Sequence, residues 1–287
     1  MDLSMRTAYW DDPQAKGAFK EFMIEIFGSD FSEWEAGGYW DNAYTPFSFF
    51  AGEKIVASAC FYLLDAVLNG KTTRVAQISA VGTLPEWRRK GLNRQLLDAG
   101  LNWAQGRHEA VFLFATHESI PFYEACGFTP IDEYVEFVDV QPVTNCGGAV
   151  KLDPGNMHDR EKIYDYAKRR TPISDKFSVL HEKLIMYHVL YTLRKHIYEI
   201  LDLQCLVFME RNEGCLKVYD ILSERIPNLK ELYPYIADKD DRTIEFQFFT
   251  DKLGLDTTRT RPLFGNNPFV KGAVPIAKPV FPFTARA

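Results

Sequence analysis

Chemistry in this sequence begins at Pro85–Leu97, "PEWRRKGLNRQLL", where Arg88, Arg89 and Lys90 precede one glycine and a helical pattern carrying a fourth cation, Arg94. Cations at a helix N-terminus are unfavourable, because the unpaired N–H groups there already carry partial positive charge. A bound anion removes the conflict. Phosphate accepts from the N–H groups, the basic side chains neutralise it, and Gly91 lets the main chain approach without a Cβ. Downstream, "ATHESIPFYEACGF" holds three groups able to move a proton: His117 and Glu118 just past a strand-like run, and Tyr123 on a short helix. Upstream, "DFSEWEAGGYWDNAY" combines Trp34, Tyr39, Trp40 and Tyr44 with Glu33, Glu35 and Asp41, a set that could surround an amine with aromatic faces and an acidic rim.

The elements that must position these groups follow from local pattern. "MRTAYW" reads as a strand and "DDPQAKGAFKEFMIEIF" as a helix capped by Asp12 with Pro13 first. "FSFFAG" and "KIVASACFYLLDAVL" pair across Gly52-Glu53, and "KTTRVAQISAVGTL" continues after Asn69-Gly70. Leu92, Leu96, Leu97, Leu101 and Ala104 share one helical face, and "AVFLFA" is a short buried strand parallel to the one before the loop. "SIPFYEAC" is a short helix ended by Gly127, and "YVEFVDV" closes the unit. The class is mixed α/β, with a mostly antiparallel sheet and helices on both faces.

Prolines and glycines in "QPVTNCGGAVKLDPG" place a boundary there, dividing the chain into units 1–143 and 148–287. The second unit reads as helices over Met157–Arg169 and Ser178–Leu193, strands "LQCLVFMER" and "CLKVYDIL" about Asn212-Glu213-Gly214, a helix "PNLKELYPYI" and a strand "IEFQFF". It repeats the first unit's order, but "SERIPNLKEL" stands where the basic loop would be. The tail from Pro262 has five prolines and reads as extended, with phenylalanines that pack on something.

Composition narrows the partners. The chain has 287 residues, 46% apolar, and a net charge of −6, which argues against nucleic acid as a partner. Acids outnumber bases in residues 1–140 and bases outnumber acids beyond, so the acidic half would attract a cationic acceptor. No leader or membrane span is legible, and a cytoplasmic protein is expected. The five cysteines form no CxxC pair and "HEKLIMYH" is not a zinc motif, so free thiols and no metal are expected.

Taken together, "AQISAVGTLP", "EWRRKGLNRQLL" and "VFLFATHESIPFYEACGF" resemble the GNAT superfamily of acetyl-CoA-dependent N-acetyltransferases, whose cofactor loop reads Q/R-x-x-G-x-G/A. Arg88 and Gly91 match that loop, and Asn93 stands where the last Gly or Ala is usual. The resemblance implies a GNAT fold followed by a degenerate second copy. It implies that Val81, Gly82 and Thr83 bond the acetyl and pantetheine groups and that Arg89, Lys90, Gly91, Leu92, Asn93 and Arg94 hold the pyrophosphate. It also implies that Tyr123 returns a proton to the CoA thiolate. Thr116 replaces the family's frequent Asn. A base is left open among His117, Glu118, water and the carboxylate of Ala287. The last comes from a likeness of "VGTLPEWRRKG" to the enhanced-intracellular-survival type of acetyltransferase, here without that group's third domain. The acceptor would be a small-molecule or peptide amine, with oligomeric state open. A non-catalytic acyl-CoA-binding sensor or scaffold is the alternative.

Overall fold

A computed structural model describes residues 2–272 and 276–287. Strand β1 (Leu3–Thr7) leads to helix α1 (Pro13–Phe27), where Asp12 Oδ1 accepts the Ala15 N–H at 3.0 Å and Pro13 occupies a position that needs no N–H. Helix α2 (Ser32–Ala36) precedes an antiparallel meander of β2 (Tyr44–Ala51), β3 (Lys54–Leu68) and β4 (Lys71–Thr83). Its second turn uses Asn69 and Gly70 at φ 51° and 74°, the left-handed pair that a two-residue hairpin requires. Helix α3 (Leu92–Ala104) then crosses to β5 (Ala110–Phe114), which runs parallel to β4. Gly100 of α3 faces Phe61 of β3. A Cβ there would stand 1.9 Å from the ring, so only glycine lets the helix lie so close. Helix α4 (Ile120–Ala125) and the two-residue β6 (Thr129–Pro130) follow.

The second half contains β7 (Glu133–Asp139), β8 (Ala149–Lys151), α5 (Met157–Arg169), β9 (Phe177–Val179), α6 (Glu182–Leu190), β10 (Ile197–Ile200), β11 (Cys205–Asn212), β12 (Cys215–Ser223), α7 (Leu229–Ile236), β13 (Thr243–Phe246), β14 (Arg259–Leu263) and β15 (Pro268–Lys271). The parallel crossover β12–α7–β13 repeats β4–α3–β5. The fold is mixed α/β with two mostly antiparallel sheets.

Two strands change sheets. "YVEFVDV", expected to close the first sheet, lies as β7 between β13 and β14 in the second. In exchange, β15 from the proline-rich tail inserts between β5 and β6, giving the order β1-β2-β3-β4-β5-β15-β6 in the first sheet and β14-β7-β13-β12-β11-β10-β8 in the second. The expected helix over Ser178–Leu193 also divides: Ser178 Oγ bonds the main chain of Ser174, β9 pairs with the far end of β3, and α6 starts only at Glu182. In the tail, Phe269 and Phe281 are buried while Phe264 is exposed. All five cysteines are free, and no helix among the described residues is long and apolar enough to cross a membrane.

Candidate active site

Pairing of β4 with β5 stops at Ile78 and Leu113, although β4 continues to Thr83. A bulge produces the divergence. Ala80 adopts φ 50° and the register against β3 slips between Ser58 and Cys60, which bends the end of β4. On the other side of the gap, Ala115 donates to the Asn267 carbonyl at 3.0 Å and the Asn267 amide donates back at 3.1 Å, holding the end of β5 toward β15. Val81, Gly82 and Thr83 therefore form a strand edge with no β5 neighbour.

The chain next makes a short 3-10 turn, Pro85–Trp87, and enters the basic loop. Arg88 Nε donates to the Thr83 carbonyl at 3.1 Å, and the Lys90 ammonium lies 4.4 Å from the centre of the Trp87 indole. Arg89 and Gly91 are both left-handed, at φ 61° and 75°, and a Cβ on Gly91 would meet nothing within 4 Å. Glycine there serves the turn and leaves open space in front of α3. That helix has no side-chain cap, and the N–H groups of Leu92, Asn93 and Arg94 have no acceptor among the described residues. Arg88, Arg89 and Lys90 are exposed, and none has a carboxylate partner among those residues. Unpaired N–H donors, cations without a carboxylate partner and an open glycine fit a diphosphate.

Asn93 and Arg94 do other work. Asn93 Oδ1 accepts from Thr83 Oγ1 at 2.9 Å, tying the end of β4 to the first turn of α3. Arg94 pairs with Asp98 at 3.2 Å and donates to the Ala125 carbonyl at 2.8 Å, which fastens α3 to the end of α4. Leu92 is buried beneath the loop.

Tyr123 is buried on α4, edge-on to Phe122 and Phe128 and tilted against Phe269 of β15. Its hydroxyl has no hydrogen-bond partner among the described residues, and burial, reinforced by the Cys126 thiol, pushes its pKa above the ordinary tyrosine value. His117 and Glu118 lie in an exposed 3-10 turn past β5. The main-chain N–H of Glu118 and the Thr116 hydroxyl hold the Glu118 carboxyl below its ordinary value.

Beside the bulge of β4 lies a cavity of about 170 Å³. Ser79 and Ala80 line one side, Phe31, Trp34, Tyr44 and Tyr62 another, and Leu184 and Tyr187 of α6 close it. Ala287, a candidate for the base, also lines it, and its N–H donates to Gln77 Oε1 at 3.0 Å. Tyr123 and His117 do not. Of the aromatic residues expected around an acceptor, Trp34 and Tyr44 reach the cavity, whereas Trp40 packs behind Trp34 and Tyr39 against Tyr164. The expected acidic rim is already neutralised: Glu35 pairs with Lys16 and Lys20, Asp41 with Lys183, and Glu33 with Arg194. Sequence reasoning missed Tyr62, Leu184 and Tyr187. Nothing local marks α6 residues as neighbours of β4, some hundred positions away.

The corresponding place in the second sheet is closed. Asn228 accepts the Glu231 N–H at 2.9 Å and Glu231 accepts the Asn228 N–H at 3.1 Å, so α7 caps itself and carries an acid where α3 faces cations. Among the described residues no group of three His, Cys, Asp or Glu could hold a metal.

The description "Acetyltransferase (GNAT) family" belongs to the family model that matches residues 4–128. No curated protein matches the chain. Among solved structures, a probable N-acyltransferase of unknown function from Enterococcus faecalis is similar at TM-score 0.59 and 13% identity, over 94% of this chain and 72% of that one. Eis1 from Mycobacterium abscessus is similar at TM-score 0.55 and 14% identity, over 94% and 73%. A GCN5-related N-acetyltransferase from Kribbella flavida is similar at TM-score 0.55 and 14% identity, over 93% and 71%.

Proposed function

We propose that this protein transfers an acetyl group from acetyl-CoA to a primary amine, a reading supported by the match of residues 4–128 to the GNAT acetyltransferase family model. The observation that carries the reading is the contrast at α3: three unpaired cations and an uncapped helix start stand directly after an open strand edge. The main chain of Gly91, Leu92, Asn93 and Arg94, with the side chains of Arg88, Arg89 and Lys90, would hold the pyrophosphate. Arg94 contributes its N–H, since its guanidinium is engaged by Asp98 and α4.

Acetyl-CoA supplies the thioester carbonyl and the thiolate leaving group. The open edge at Val81, Gly82 and Thr83 offers main-chain donors to the carbonyl oxygen as charge develops there. A neutral amine attacks from the cavity side, where Ser79 and Ala80 adjoin that edge. Tyr123 stays protonated through neutral pH and gives its proton to the departing sulfur. The amine's proton leaves through water, and His117, Glu118 and the carboxylate expected at Ala287, the one of the three that lines the cavity, are the candidates to receive it.

Calorimetric titration with CoA, together with thiol release from acetyl-CoA over a panel of amines, tests the reading. Gly91→Glu should abolish CoA binding while the protein still folds, its thermal transition lowered by the strain of a side chain at φ 75°, because the added side chain meets no neighbour but brings a carboxylate to the phosphate site. Unchanged binding would refute the assignment. Tight CoA binding without thiol release on any amine would favour the acyl-CoA-binding sensor instead.

A further inference from the structure

We infer that the acceptor is a compact primary amine with a single aromatic-sized apolar body, and that α6 of the second half selects it; this rests on the acetyl-transfer reading above. The cavity beside β4 has about 170 Å³. An apolar cavity of about 150 Å³ accommodates one benzene ring. Its walls are Phe31, Trp34, Tyr44 and Tyr62 from the first half with Leu184 and Tyr187 from α6, and no Asp, Glu, Lys or Arg side chain lines it.

A polycationic acceptor would need carboxylates to replace the water it loses on entry. None is available. Glu33, Glu35 and Asp41 are paired with Arg194, Lys16, Lys20 and Lys183, and Asp30, between the lining residues Ser29 and Phe31, is exposed and accepts the Ser32 N–H at 2.9 Å. An apolar surrounding instead favours the uncharged form of a monoamine, lowering the ammonium pKa and delivering the nucleophile that attack requires. The step balances without another reactant. The N–C bond forms, the C–S bond breaks, the amine loses one proton, the sulfur gains one, and the products are an N-alkyl acetamide and free thiol.

Selection by α6 follows from its place in the wall. Leu184 is almost fully buried there, and Tyr187 packs edge-on against Phe31 and Trp34. The second half, which lacks a phosphate loop, thus contributes to the acceptor pocket of the first.

The test measures binding directly, using 2-phenylethylamine and spermidine titrated into the full chain saturated with CoA, followed by kcat/KM for both amines and for a lysine-containing peptide. Phenylethylamine should be preferred on the order of tenfold to a hundredfold, the discrimination an apolar pocket supplies. Leu184→Trp should fill the cavity and remove phenylethylamine binding while CoA affinity stays within about twofold. Tyr187→Ala, which enlarges the cavity, should shift preference toward a bulkier amine such as tryptamine. Spermidine or the peptide binding as well as phenylethylamine would overturn the inference. So would unaltered phenylethylamine affinity in folded Leu184→Trp and Tyr187→Ala proteins. Phenylethylamine binding in the cavity without thiol release would sink the acetyl-transfer reading and leave the pocket assignment standing.

Discussion

The hydroxyl of Tyr123 sits among Phe122, Phe128 and Phe269 with no partner among the described residues, and burial makes its ionised form costly. A phenol in that setting keeps its proton at neutral pH, which suits an acid waiting for a thiolate. Tyr123→Phe should lower kcat on the order of a hundredfold or more while leaving CoA affinity unchanged. Fold stability should change little, because no protein hydrogen bond is lost. A kcat within about threefold of the parent would remove Tyr123 from the mechanism. Its raised pKa also fixes the sign of the pH response: kcat should rise as the amine deprotonates and show no alkaline fall below about pH 10. A pH–rate profile reads both limbs. The same scale explains Asn93. The family resemblance marks it as a departure from the loop pattern, yet its bond to Thr83 Oγ1 gives the side chain a structural use that no spacing reveals.

Two crossover helices differ in how their first turns are satisfied, and the difference separates an open helix start from a closed one. Helix α3 follows Gly91 with no side-chain cap, whereas α7 has both halves of the Asn228–Glu231 box. Asn228→Ala should destabilise the protein by about 1 kcal/mol in denaturant unfolding and leave CoA binding unchanged. A loss of CoA affinity in that variant would point to a cofactor site in the second half. Both helices were legible from turn residues and apolar spacing, because caps and periodicity are local. Helix α6 was legible only in part. Its expected first residues became β9 through a serine pair and an edge of β3 that lies more than a hundred positions earlier.

Across the whole molecule, the tail from Val280 to Ala287 is held between the two sheets. Arg286 pairs with buried Glu133, Thr284 donates to buried Asp220, Asp220 faces Arg170 at 3.6 Å, and His188 Nε2 donates to the Arg286 carbonyl at 2.7 Å. Burial lowers the His188 pKa to about 4, and the neighbouring Arg286 cation pushes the same way, so the imidazole is neutral in the fold. Unfolding raises it to about 6.5, and the unfolded chain therefore binds more protons between these values. The contribution is complete above about pH 6.5 and is lost as pH falls toward 4, amounting to about 3 kcal/mol. Denaturant unfolding from pH 7 to pH 4.5 should show this decline. His188→Gln, which keeps a donor toward the Arg286 carbonyl but does not titrate, should flatten it. An equally steep decline in that variant would assign the acid sensitivity elsewhere. The tail ends at the cavity through the Ala287–Gln77 bond, so loosening it should also raise KM for the amine more than for acetyl-CoA.

What the sequence determined by itself is local: the meander and its hairpin turns, the glycine loop opening α3, the cap of α1, the short helix bearing Tyr123, and a second crossover without cations. Each depends on residues within one or two turns of each other, so composition and spacing specify it. The tertiary structure decided the rest. It sent β7 into the second sheet and brought β15 into the first, which pattern cannot foresee because both are short apolar segments whose local sequence does not name the edge they join. It also set Leu184 and Tyr187 against Trp34 and Tyr44, and spent the acidic rim on lysines and an arginine of the same chain. Charge in a sequence reports only what is available; which charges remain free for a ligand depends on the partners that folding brings within reach.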